Sequence, residues 1–183
     1  MRKAVFLDRD GVLNKEIDLL HRKEDIEILP GVEEVLKKLK SLGYLLIVIS
    51  NQPAIARGMI TEEGVREIND YLNSLIGNLI DRFYFCPHHP NANLPQYRMV
   101  CECRKPAPGL ILQAARDYGI DLAKSWMMGD MYSDVATGKA AGCKTILLES
   151  EQNKKIIESG KKWEVQEPDY KAKYLTEVLQ IIK

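Results

Sequence analysis

In the stretch from Phe6 to Asn14, FLDRDGVLN, two carboxylates flank an arginine at the end of an apolar run. Like charges this close raise each other's pKa unless a cation stabilises them or one keeps a proton. A hard ion such as Mg²⁺ takes oxygen ligands and retains waters, so Asp8, a backbone carbonyl and the later Asp130 would suffice to hold it. With that charge compensated, one carboxylate can attack phosphorus while its neighbour handles a proton, dividing a difficult displacement into two easier ones. Phosphoryl transfer also needs its equatorial oxygens neutralised, and Lys105, in Arg104-Lys105-Pro106, offers a fixed cation for that purpose. The hydroxyl of Ser50, which closes another apolar run, can donate to a phosphate oxygen.

A second constellation is CPHHP, Cys86 to Pro90, followed by CEC, Cys101 to Cys103. Two ligand pairs separated by a loop can supply Cys₃His to a tetrahedral structural zinc, and spacing alone leaves open whether His88 or His89 is the nitrogen ligand. Zinc binding would also order the Pro-, Asn- and His-rich loop from 87 to 107, which is too long for an idle connection. A disulfide and isolated buried thiols are the competing readings. Cys143 stands apart in an apolar setting and reads as a small buried residue.

These groups must be positioned by the elements before and after them. Ala4 to Leu7 and Leu45 to Ile49 read as strands buried on both faces, with a helix from about Val32 to Leu42 between them and Gly43 as its cap. Thr61 is expected to cap a helix carrying Val65, Ile68, Leu72, Leu75 and Ile76 at helical spacing. A short strand ends at Cys86, a helix follows Pro108, and Trp126 to Met128 form a strand leading into Gly129-Asp130. Ala136 to Ala141 reads as a helix capped by Gly142, and Thr145 to Leu148 as a strand. In the tail, a helix near Lys154 to Ser159, an extended piece at Trp163 to Val165 and a last helix from about Lys173 to Ile182 are expected. Alternating strands and helices imply a mostly parallel sheet in a three-layer, Rossmann-like architecture, a single domain over residues 1–183. Ligands in such folds bind beyond the carboxyl ends of the strands, where Asp8, Asp10, Ser50, Asn51, Asp130 and Asp134 all fall.

Twenty-six basic and 26 acidic side chains cancel, which argues against a nucleic-acid or anionic-membrane partner. The run from Ala4 to Leu7 is cut by Asp8 too early for a signal-peptide core, and Tyr44 to Ile49 is too short to span a bilayer, so a cytoplasmic protein is expected. A monomer is the default expectation.

Asp8-Arg9-Asp10-Gly11, Ser50-Asn51, Lys105-Pro106 and Gly129-Asp130-x-x-x-Asp134 resemble, in order, the four motifs of the haloacid dehalogenase (HAD) superfamily of phosphatases. The resemblance implies that Asp8 is the nucleophile and Asp10 the general acid and base. It further implies Mg²⁺ on Asp8, the Asp10 backbone carbonyl and Asp130 with Asp134 in support, and phosphate contacts from Ser50 and Lys105; Arg9, Asn51, Gln52 and Arg104 are added as candidate substrate or phosphate contacts. CPHHP with CxCRKP, and NQxxIARG at Asn51 to Gly58, is similar to the D,D-heptose 1,7-bisphosphate phosphatases and the related histidinol-phosphate phosphatases. That narrower likeness, over about residues 3–150, implies structural zinc on Cys86, His88, Cys101 and Cys103, and a small phosphorylated sugar as substrate within heptose biosynthesis. The spacings leave no room for a cap domain, so the site should be open, with Arg104 gripping a second phosphate. Three departures bear on the substrate: Asp18-Leu19 in place of Gly-Tyr, Met131 in place of Lys, and Gln52-Pro53-Ala54 in place of Gln-Ser-Gly. Facing the site, Glu16, Asp18 and Glu102 would favour an amine-bearing substrate, whereas Arg104 and Lys105 would favour a bisphosphate. A non-catalytic, zinc-stabilised binding module is the reading from another class.

Overall fold

The computed structural model describes residues 1–150 and 166–183. Among these residues six parallel strands form one sheet in the order β3-β2-β1-β4-β5-β6: β1 Lys3–Leu7, β2 Tyr44–Asn51, β3 Arg82–Cys86, β4 Trp126–Gly129, β5 Lys144–Leu148 and β6 Tyr170–Ala172. Parallel neighbours need a long crossover connection, usually a helix. The described helices are α1 Val32–Ser41, α2 Pro53–Ala56, α3 Glu62–Leu75, α4 Gly109–Tyr118, α5 Tyr132–Ala141 and α6 Val178–Ile181.

Strand alternation sorts the core into two halves. Val5 and Leu7 of β1 pack with Leu46, Val48 and Met128 against Val35, Leu36 and Leu39 of α1 and Leu72 of α3. Ala4 and Phe6 face the other way, with Ile47, Ile49 and Met127, against Leu110, Ile111 and Ala114 of α4. Removing one such fully buried leucine side chain costs about 2–5 kcal/mol, so either face alone carries a large part of the stability.

The helix ends follow the expected signals. Thr61 Oγ1 accepts from the Gly64 amide at 3.0 Å at the start of α3, and α5 ends on Gly142 at φ 84°. The sheet differs from the sequence reading in the tail. Residues 170–172 pair with Ile146, Leu147 and Leu148 as a sixth strand, and the helix expected from Lys173 shrinks to a 3₁₀ turn at Leu175–Glu177 and α6. Tyr174 is extended at φ −129°, which interrupts the helical run. The helix expected near Lys154 to Ser159 and the extended piece at Trp163 to Val165 lie outside the described residues. Among the described residues no helix is long and apolar enough to cross a membrane.

Candidate active site and thiol loop

Three strand ends meet at one rim. Leu7 pairs with both Val48 and Met128, so Asp8, Ser50-Asn51 and Asp130 leave the sheet side by side. Asp8, Asp130 and Asp134 each offer an oxygen, all within 4.8 Å of one another. Gly11 closes the turn after β1 at φ 80°, and a Cβ there would strike the Asp130 carboxylate. Only glycine lets β1 and β4 bring their acids this close.

Lys105 is buried in the middle of this charge. Its Nζ lies 2.8 Å from Asp8 Oδ1 and 2.7 Å from Asp134 Oδ1, and it donates to the Ile49 carbonyl at 3.1 Å. Asn51 fixes the lysine's backbone, accepting from its amide at 3.0 Å and donating to its carbonyl at 3.2 Å. One lysine does not balance three acids. Burial, opposed by Lys105 and reinforced by Asp134, pushes Asp8 up to about 7, and burial with the Asp8 and Asp134 charges lifts Asp130 to about 8. Lys105 stays protonated because the two carboxylates outweigh its own desolvation. Surplus negative charge on oxygen donors alone suits Mg²⁺ or a similar hard cation.

Asp10 is held from the opposite side. Arg9 Nε donates to both of its oxygens at 3.2 Å and Nη2 to Oδ2 at 2.8 Å, while Asn14 Nδ2 donates to Oδ1 at 2.9 Å and Gln52 Nε2 to Oδ2 at 3.3 Å. Arg9, a candidate substrate contact in the sequence, is 0% exposed, with its guanidinium donating to Asp10, Gln52 and Asn69, so it braces the Asp10 carboxylate.

The cleft wall comprises Asp8, Asp10, Glu16 to Leu20, Asn51 to Ala54, Lys105, Asp130, Met131 and Ser133. Arg104 is outside it, donating from Nη1 to the His88 carbonyl at 3.0 Å. Ser50 lies beneath the wall, its Oγ buried and without a hydrogen-bond partner among the described residues. A buried hydroxyl in that state is costly unless a ligand oxygen completes it. Glu16 is pushed up to about 7 by desolvation and by the charges of Asp10 and Asp8. Sequence reasoning missed Asn14 and Asn69, and Asn69 had left a signal, as a polar residue on the apolar stripe of α3.

Beside the cleft, Cys86, His88, Cys101 and Cys103 bring three sulfurs and a nitrogen within 4.8 Å of one another. The sulfur separations are 3.5, 3.2 and 3.0 Å, and His88 Nδ1 lies 3.3 Å from Cys103 Sγ. All four cysteines of the chain are free thiols. His89 is turned elsewhere, its Nδ1 accepting from the Asn91 amide at 3.0 Å. Three thiols and an imidazole are a donor set for Zn²⁺.

A HAD-hydrolase-like family model matches residues 102–178. The chain is 41% identical over 154 residues to a D-glycero-beta-D-manno-heptose-1,7-bisphosphate 7-phosphatase of Rhodopseudomonas palustris, spanning 82% of this chain and 85% of the relative. It is 39% identical over 166 residues to the enzyme of that name from Pasteurella multocida, spanning 88% and 89%. Among solved structures, D,D-heptose 1,7-bisphosphate phosphatase from B. bronchiseptica, complexed with magnesium and phosphate, superposes with a TM-score of 0.81 at 27% identity, over 98% of this chain and 99% of the other.

Proposed function

We propose, from the premise that this chain belongs to the heptose-1,7-bisphosphate 7-phosphatase family of HAD-like hydrolases, that it hydrolyses the 7-phosphate of D-glycero-D-manno-heptose 1,7-bisphosphate. The observation that carries the reaction class is the buried Asp8–Lys105–Asp134 ion-pair cluster beside Asp10 at the ends of adjacent strands.

Asp8 attacks phosphorus, the bond from phosphorus to the sugar oxygen breaks, and Asp10 delivers its proton to that oxygen. Asp10 then takes a proton from water, the hydroxide attacks phosphorus, and Asp8 is released with inorganic phosphate. Lys105 holds the Asp8 carboxylate and offsets charge near the phosphoryl oxygens. The unpartnered Ser50 hydroxyl would donate to one of those oxygens. Asp8, the Asp10 carbonyl and Asp130, with Asp134 behind them, would hold Mg²⁺, which supplies positive charge beside the reacting phosphate. Cys86, His88, Cys101 and Cys103 would hold a structural Zn²⁺ that orders the loop leading into Lys105.

One observation favours a second substrate. Glu16 and Asp18 line the cleft, whereas Arg104 and Glu102 do not. An acidic wall without a guanidinium suits an amine-bearing monophosphate such as histidinol phosphate. Phosphate release with Mg²⁺ from both anomers of the heptose bisphosphate and from histidinol phosphate, blanked with Asp8→Asn, decides between them. A preference of about 10²-fold in kcat/KM, roughly 2.7 kcal/mol of transition-state discrimination, is expected for one heptose anomer. The same preference for histidinol phosphate would overturn the heptose assignment, and turnover equal to the blank would overturn the phosphatase.

A further inference from the structure

Helix α3 carries an amide where its pattern calls for a hydrocarbon. Val65, Ile68 and Leu72 form its buried stripe, and Asn69, one turn after Val65, is 2% exposed among them. Burying an amide costs stability unless it is hydrogen-bonded, and asparagine is a poor residue for a helix interior. Its partner is the guanidinium under the acid. Asn69 Oδ1 accepts from Arg9 Nη1 at 3.1 Å.

A guanidinium is a rigid planar fork that can only donate. Nε and Nη2 of Arg9 are turned to Asp10, with Nη2 also reaching Gln52 Oε1 at 3.0 Å, which leaves Nη1 to be satisfied by Asn69. Fixing that third corner fixes the plane of the fork, and the plane fixes how the Asp10 carboxylate stands in the cleft. Asn69 itself is not part of the cleft wall.

Resting on the reading that Asp10 is the general acid and base, we propose that Asn69 is a positioning residue that aims Asp10 through Arg9. A helix outside the cleft thereby directs the proton given to the leaving group. Without the acceptor the fork loses its anchor on α3 and Nη1 is left buried and unpaired, which loosens the aim of Asp10 while Asp8, Lys105 and the carboxylate cluster keep theirs.

Leaving groups that differ in their need for a proton provide the test. The alkoxide of an alkyl phosphate must be protonated as it departs, whereas p-nitrophenolate leaves without help. For wild type, Asn69→Leu, Asn69→Ala and Asn69→Asp, kcat/KM is measured with p-nitrophenyl phosphate and with the preferred alkyl phosphate, heptose bisphosphate or histidinol phosphate. In the Leu and Ala variants the ratio of alkyl to aryl kcat/KM should fall about 10-fold or more, since general acid catalysis contributes at least that much. Asn69→Asp keeps an acceptor for Nη1 and should hold the ratio within about 3-fold of wild type. Both substrates report on the same folded molecules, so partial misfolding cancels from the ratio. An unchanged ratio in the Leu and Ala variants, or an equal fall in Asn69→Asp, overturns the positioning role and leaves the phosphatase standing. Wild-type turnover of neither substrate above the Asp8→Asn blank overturns both.

Discussion

The carboxylate cleft and the thiol loop each gather groups that repel or compete, but they are held by different means. Asp8 and Asp130 follow neighbouring strands whose register is set by backbone bonds and by a core on both faces. Their closeness is imposed by the sheet. Of the four donors, Cys86 ends β3, and the other three come from a stretch whose internal structure between Cys86 and Cys103 is a three-residue 3₁₀ turn at Pro95–Tyr97. A few bonds tether it, among them the amides of Asn93 and Leu94 to the Ala56 carbonyl at 2.9 and 3.1 Å. The sheet therefore preorganises the cleft before any ion arrives, whereas a metal held by the converging donors would give the loop order that its own sparse bonding does not supply.

The largest effect that tests this contrast is on turnover. Asp8→Asn keeps the volume and removes the nucleophile, and kcat should fall by about 10⁴-fold or more with the fold intact. The same substitution removes a carboxylate from a cluster with surplus negative charge, so a small rise in Tm is expected. A large fall in Tm, read by circular dichroism, would show that the cleft is held by its charges and not by the sheet.

Cys103→Ser should act the other way, first on stability and then on rate. Losing a ligand of the proposed zinc should cost about 3 kcal/mol, roughly 6–12 °C in Tm for a domain of this size. Turnover should drop as well, because Lys105 follows two residues later and inherits the loop's disorder. Zinc content by metal analysis and the melt should fall together; full stability without zinc would mean the loop has another scaffold.

The acids of the cleft make a pH prediction for the Mg²⁺-free protein. Asp8 and Asp130 are raised from 3.8 to about 7 and about 8, so between pH 4 and 8 the folded state binds more protons than the unfolded one. Stability then falls as pH rises through that window, and the penalty is complete above about pH 8. Tm should decline from pH 5.5 to 8.5 without Mg²⁺ and level out when Mg²⁺ is added. A decline that Mg²⁺ leaves untouched would place its origin elsewhere in the molecule.

The same difference between the regions explains what the sequence disclosed. Strand ends were legible because buried runs such as Ala4–Leu7 and Leu45–Ile49 stop on polar residues, and parallel topology sends those ends to one rim. The donors Cys86, His88, Cys101 and Cys103 were legible as types, and where spacing alone left His88 and His89 open the family resemblance chose His88, the imidazole that lies beside the thiols. Arg9 was legible as a cation beside the acids, but its partners Gln52 and Asn69 lie far along the chain and needed the fold. Strand β6 escaped because YKA has no apolar pattern of its own: Tyr170 and Lys171 are exposed, and pairing with β5 makes the strand. Asn69 was passed over as one polar residue in an amphipathic helix, since its meaning depends on a guanidinium sixty positions earlier.

The thiol loop also leans on helix α3, and cutting that contact is the finest test. Tyr97, in the 3₁₀ turn of the loop, donates its hydroxyl to Glu62 Oε1 at 3.1 Å, in the first turn of the helix that also carries Asn69. If the loop is ordered chiefly by its metal, this bond adds little beyond an ordinary partly exposed hydrogen bond. Tyr97→Phe should then cost about 0.5–1.5 kcal/mol, or roughly 1–6 °C in Tm, with zinc retained. Turnover should stay close to wild type, because neither Tyr97 nor Glu62 lines the cleft. A loss as large as that of Cys103→Ser would mean that α3 holds the loop and the metal is secondary. The contrast between a region set by the sheet and one ordered by a metal would then fail at the contact of the loop with α3.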